Sequence, residues 1–241
     1  YAQLFTTLAQ ETQRRGTNRT TRKSTEIMLP TTEKGVSLLD LHTVMKASQA
    51  FSGEIVLAEL LQRIMKIVIE NAGAQKGWLI LEKNGTWAIE AEGAIDSKDV
   101  KVLQSLPIIA EGAIHEAPLP AAIIQYVIRT GEPLVLNDAH REGNFTDDPY
   151  IVKQQTKSVL CTPLVKQGKL MGILYLENDL ATGAFTPDRL EVLKMLSSQM
   201  AISIENAALY THLQEALTQQ IELSENQVKL TQAYSRFVPG E

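Results

Sequence analysis

After Pro187 the sequence contains neither proline nor glycine until Pro239. An uninterrupted helix over that stretch would run roughly 75 Å at 1.5 Å per residue, further than one small domain can cover. Within it Leu209, Ala216, Leu223, Leu230 and Phe237 recur at seven-residue steps, flanked by Leu213, Leu217, Ile221, Val228 and Tyr234. That recurrence is a coiled-coil seam, weakened at Gln220 and Gln227. An apolar stripe on so long a projection needs a partner, and the simplest is the same helix of a second subunit in a parallel homodimer. The helix has a strong start, with Thr186 as capping hydroxyl, Pro187 at the first helical position and Asp188 in the first turn.

The residues before it alternate between helical and strand periods. Tyr1 to Leu8 reads as a short helix, and Glu11 to Lys34, rich in Thr, Arg, Ser and Gly, as a linker. Asp40 is expected to cap a helix with Leu41, Val44, Met45 and Ser48 inward, ending at Ser52-Gly53. Leu57, Leu60, Leu61, Ile64, Met65 and Val68 form the apolar stripe of a second helix, stopped at Asn71-Ala72-Gly73. Gly77 to Glu82 and Thr86 to Glu92 read as a hairpin around Asn84-Gly85. In the second of these strands Trp87, Ile89 and Ala91 are expected on one face and Thr86, Ala88, Glu90 and Glu92 on a wet one, toward the sheet edge.

Gly93 to Pro118 has no clear period. Leu119-Pro120 opens a helix carrying Ile123, Ile124, Val127 and Ile128, closed by Gly131, and a short strand follows over Pro133 to Leu136. Asn137 to Lys157 is a polar, turn-rich excursion of lid length with a short helix near Tyr150 to Gln155. Ser158 to Val165 and Leu170 to Glu177 are apolar without alternation, which predicts central strands buried on both faces. The sum is an α+β chain: an antiparallel sheet with helices packed on it and a long C-terminal coiled-coil helix.

Composition narrows the class. With 44% hydrophobic residues among 241 there is enough for a real core. A net charge of −5, with acids and bases mixed along the chain, offers no footprint for nucleic acid or an anionic membrane. The single cysteine excludes a disulfide framework and a multi-cysteine zinc site, no apolar run is long enough to span a bilayer, and a cytoplasmic location is expected. The start at Tyr1 and the stop at Pro239-Gly240-Glu241 are both expected to continue in a longer polypeptide.

Several blocks then resemble a known family. Leu134 to Ala139, Phe145 to Tyr150, Ser158 to Leu164, Gly168 to Asn178 and Phe185 to Asp188 are similar, in order, to consecutive blocks of GAF domains, and Ala201 to Tyr210 resembles their exit helix. The likeness covers Leu38 to Tyr210 and implies a GAF-like six-stranded antiparallel sheet, helices on both faces and a small-molecule pocket between sheet and lid. The organisation expected is therefore 1–37 as N-terminal helix and flexible linker, 38–210 as GAF domain and 211–241 as signalling helix. Leu41 to Ala74 resembles the leading helices of GAF domains in cyanobacterial multi-sensor kinases and cyclases. Ala233 to Pro239 resembles the stretch before class III nucleotide cyclase domains, which implies an adenylate or guanylate cyclase as output.

Cyclic-nucleotide-binding GAF domains pair a lysine and an aspartate to brace the pocket. At the matching positions stand Asp179 and Arg189, the reverse polarity, so a structural ion pair is expected rather than a nucleotide site. Bilin-binding members use a cysteine beside a histidine, whereas Cys161 lies in an apolar strand without one and reads as core. His42, His115, His140 and His212 are too dispersed for a metal site, the methionines read as packing, and no catalytic motif or cofactor signature appears. If a small molecule binds, it is expected under the lid near Asp138, Phe145, Asp148, Tyr150 and Ser158. The fragment itself is expected to sense, not catalyse; the alternatives are a ligand-free dimerisation module and the sensor of a histidine or serine/threonine kinase.

Overall fold

A computed structural model describes residues 38–83, 85–97, 99–108 and 119–237. The short helix and linker expected over 1–37, the Asn84 half of the first hairpin turn, His115 and the residues after Phe237 lie outside the described residues.

The elements run α1 (Leu38–Ser52), α2 (Leu57–Ala72), β1 (Lys76–Lys83), β2 (Thr86–Ala94), β3 (Lys101–Pro107), α3 (Ala121–Thr130), β4 (Leu134–Leu136), α4 (Pro149–Gln154), β5 (Ser158–Lys166), β6 (Lys169–Asn178) and α5 (Pro187–Phe237). The six strands pair in the order β3-β2-β1-β6-β5-β4, and every pairing is antiparallel. This is the GAF-like sheet that the sequence implied.

Because side chains alternate across a strand, the sheet sorts its residues into two cores. On one face Leu79, Leu81, Leu160, Leu164, Leu174 and Leu176 meet the apolar stripes of α1, α2 and the first half of α5. On the other, Trp78, Ile80, Val159, Cys161, Ile173 and Tyr175 meet α3 and the segment carrying α4. β5 and β6 are wrapped on both faces, as their lack of alternation predicted. The helical stripe of α2 is buried from Leu60 to Ala72, and Gly73, at φ 73, ends it in the left-handed conformation that a residue without a Cβ adopts freely.

Three local expectations are corrected. Asp40 lies inside α1 and does not cap it. The inward residues of α1 are Ala47 and Phe51, with Val44 at their margin, while Met45 is exposed. The side chain of Leu41 lies outside the described residues.

β2 has no wet face, since Ala88 and Glu90 are both buried. A bulge accounts for it: Ile80 pairs with Ile89 and Leu79 with Ala91, leaving Glu90 extra on β2. Ile89 therefore joins the α3 core and Ala91 the α5 core, so they do not share a face. Opposite the bulge, β3 covers β2 from outside and holds Leu103 and Ser105 at φ 54 and 45. Glu90 Oε1 accepts from Lys83 Nζ and from Ser105 Oγ, both at 2.9 Å, so the buried carboxylate is paired on that oxygen.

Two glycines mark close approach of layers. A Cβ at Gly172 would stand 2.9 Å from the Ile80 carbonyl oxygen and 2.7 Å from Leu81 Cδ2, whereas one at Gly77 would meet only side-chain ends, Leu176 Cδ2 and Met65 Cε being nearest. Backbone cannot yield as a side chain can. Gly172→Ala should therefore cost more than Gly77→Ala, both within about 1–3 kcal/mol, as read from urea unfolding midpoints at constant slope.

Candidate functional site

The polar groups under the lid collect where β1 and β6 end beside each other. Lys76 pairs in register with Glu177, and Trp78 with Tyr175. The period of two puts all four on the face that α4 covers. The rings of Trp78 and Tyr175 lie 5.7 Å apart at 52° and form an aromatic wall.

Glu177 is the hub. Its side chain is 0% exposed, so an unpaired charge would be costly there. Oε1 accepts from Lys76 Nζ at 3.1 Å, and Oε2 accepts from Tyr150 OH at 3.0 Å and Tyr175 OH at 3.3 Å. Lys76 also donates to Asp179 Oδ2 at 2.8 Å, and the Asp179 amide donates to Gln75 Oε1. The buried Oδ1 of Asp179 pairs with no described group.

The electrostatics follow from burial. Desolvation, helped by the Asp179 charge, pushes the Glu177 carboxyl up against the pull of Lys76 and the Tyr150 hydroxyl. Burial on its own lowers Lys76, but Asp179 and Glu177 together reverse the sign and hold the ammonium above its ordinary value. Tyr150 and Tyr175 are both raised, first by burial and then by the Glu177 charge, which keeps them protonated and able to donate. Cys161 sits wholly inside the same core, and burial raises its thiol, so it behaves as a small hydrophobe.

The residues expected to bind a ligand divide by partner. Tyr150 reaches the hub. Phe145 packs edge-on against Tyr126 of α3, with ring centres 5.9 Å apart. Asp148 caps α4 by accepting the Tyr150 amide at 2.9 Å, with Pro149 following it. Asp138 closes its own turn, accepting the His140 amide, and has Arg141 near its other oxygen. Ser158 is buried; its hydroxyl lies within hydrogen-bond reach of the Asn137 and Ala181 carbonyls and accepts from the Ala184 amide. The hydrogen bonds of Asp138 and Asp148 are thus spent within the lid, and those of Ser158 tie the start of the lid to the β6–α5 connection, while Tyr150 and Phe145 face the inner core.

The Asp179–Arg189 brace does not form. Asp179 turns to Lys76, and Arg189 donates to the Ala184 carbonyl at 2.7 Å and packs over Gly73. Each of the reversed charges has taken a different partner, so the two do not meet. Among the described residues no group of His, Cys, Asp and Glu could hold a metal ion, and no helix is long and apolar enough to cross a membrane.

Lys76 and Glu177 went unflagged from sequence. The signal was there: each is a charged residue two positions from an aromatic at the end of an otherwise apolar strand. Their meeting depends on the register of strands 101 residues apart.

Comparison with known proteins agrees with this geometry. The GAF domain family model matches residues 56–204. The chain is 26% identical over 84% of its length to "Hybrid signal transduction histidine kinase G" of Dictyostelium discoideum, of which it spans 9%. It is 24% identical over 75% of its length to "Peroxide stress-activated histidine kinase mak3" of Schizosaccharomyces pombe, of which it spans 8%. Among solved structures, the GAF domain from an Acinetobacter phosphoenolpyruvate-protein phosphotransferase superposes with a TM-score of 0.54 at 18% identity, covering 72% of this chain and 96% of that one.

A carboxyl raised by folding binds its proton more tightly in the folded than in the unfolded state, so its contribution to stability falls as pH rises through that interval. For Glu177 the interval begins at the ordinary value of 4.5 and extends upward. The stability of the wild type relative to Glu177→Gln should therefore decline from pH 4.5 toward neutrality in urea titrations at stepped pH. A gap that widened instead would mean that the native carboxyl is held low.

Proposed function

This chain belongs to the GAF domain family, and on that premise we propose that it is a sensory module that dimerises through α5 and relays a small-molecule or conformational signal along it to a catalytic output domain. The carrying observation is the state of α5 beyond the sheet. Leu196, Met200, Ile204 and Ala207 are buried, whereas Leu209, Leu213, Leu217, Ile221, Leu223, Val228 and Leu230 are each more than half exposed in the single chain. Leu209, Ala216, Leu223 and Leu230 occupy one seam position of the heptad, and Leu213, Gln220, Gln227 and Tyr234 the other. A second copy covers this stripe most economically, because a parallel pair sets identical residues side by side.

The amides at Gln220 and Gln227 keep two packings of the pair close in energy, and a change under the lid biases one of them. The working compartment is taken to be the cytoplasm, consistent with a lone reduced cysteine. Sedimentation equilibrium should show a dimer for the chain and a monomer for Leu223→Lys/Leu230→Lys, with an unchanged urea midpoint for the sheet-bearing body. Single chains in the parent at high concentration would end the relay reading.

Two outputs compete. The similarity to relatives named histidine kinases supports a kinase, and the chain's share of under a tenth of those relatives leaves ample length for one. The resemblance of Ala233 to Pro239 to a pre-cyclase segment supports an adenylate or guanylate cyclase. Two labels on the full-length protein separate them: transfer of γ-labelled phosphate from ATP to protein favours the kinase, and labelled cyclic nucleotide from α-labelled ATP or GTP, with pyrophosphate released, favours the cyclase. In either case Gln220→Leu/Gln227→Leu should fix the activity at one level.

A further inference from the structure

We infer that Tyr150 and Glu177 form the latch of a lid that is poised to open, with α4 and the turn after it as the moving part. The inference stands on the lid alone and does not depend on which output α5 drives.

The backbone of the lid is bonded mostly to itself. Val152 N–H donates to the Asp148 carbonyl, and the amides of Gln155 and Thr156 both donate to the Ile151 carbonyl. Its backbone bonds to the rest of the fold lie at its two ends, where the Asn137 carbonyl accepts from Gly183 N–H and Lys157 N–H donates to the Asn178 carbonyl, and Ala139 N–H joins those ends by donating to the Lys157 carbonyl. α4 reaches the core through two adjacent side chains: Ile151, wholly buried, and Tyr150, whose hydroxyl enters the Glu177 hub. Val152 is 49% exposed and adds little.

Against this seat stand two costs of closure. Gln155 holds φ 57, a conformation that L side chains rarely adopt. Thr156 is wholly buried, yet its Oγ1 pairs with no described group. Opening the lid relieves both. It does not orphan the hub, because Glu177 keeps Lys76 on Oε1 and Tyr175 on Oε2. A segment whose backbone is bonded mainly within itself, with costs of its own and a hub that tolerates its departure, belongs to the low-stability end of a structure.

Hydrogen exchange by mass spectrometry on the full chain tests the latch through the amides of Val152, Gln155 and Thr156, with those of Leu174 to Leu176 on β6 as the internal reference. Tyr150→Phe should speed lid exchange about tenfold and leave the strand unchanged. Glu177→Gln, which retains an acceptor, should speed it less. Thr156→Val, which removes the unpaired hydroxyl at nearly constant shape, should slow it. A lid exchanging at the parental rate in Tyr150→Phe, an acceleration shared equally by the strand, or a Thr156→Val lid that loosens would each overturn the latch.

Discussion

The fold depends on a sheet that cannot show either face to water. β1 and β6 are central and apolar on both sides, so each face must be covered by something with a matching apolar surface. One cover is rigid: α1, α2 and the first half of α5, carrying long runs of buried leucine, isoleucine and methionine. The other is assembled from a short helix, a three-residue strand and a polar loop around α4.

A buried carboxylate is tolerated on the looser side because its partners come from three directions. Lys76 reaches it from the neighbouring strand, Tyr175 from its own strand and Tyr150 from the lid. Removing a charge from water costs several kcal/mol, and only such a set of donors offsets that. The set is also asymmetric. Two donors belong to the sheet and one to a segment with few other attachments, so the same group stabilises the fold and registers the position of its lid.

Much of the fold was legible from periodicity. The stripes of α2 and α3, the unbroken run of α5, the Gly73 and Gly131 stops and the twice-buried β5 and β6 all follow from local pattern. What was not legible depends on register. The bulge at Glu90 moves Ala91 to the other core, and nothing in Trp87-Ala88-Ile89-Glu90 announces it. β3 escaped because Leu103 and Ser105 leave the extended conformation, which erases alternation. Of the expected ligand residues, Asp138, Asp148 and Ser158 carry turn and capping chemistry that sequence alone cannot separate from ligand chemistry. The hub was missed because it is built by strands far apart in the chain. The brace was misassigned for the same reason, since Lys76, remote in sequence, competes for Asp179.

The first turns of α5 are clamped into the core, with Glu205 tied to Lys166 at the β5–β6 turn, and no proline or glycine separates them from the exposed half. Under the proposed relay, a helix held in this way would act as a lever with its fulcrum beside the sheet. The free arm of roughly 30 residues is about 45 Å long at 1.5 Å per residue. A tilt of about 5° at the fulcrum, within what a repacked side chain produces, sweeps the far end through about 4 Å. Small displacements in a compact body thereby reach the far end enlarged to the size of a side chain.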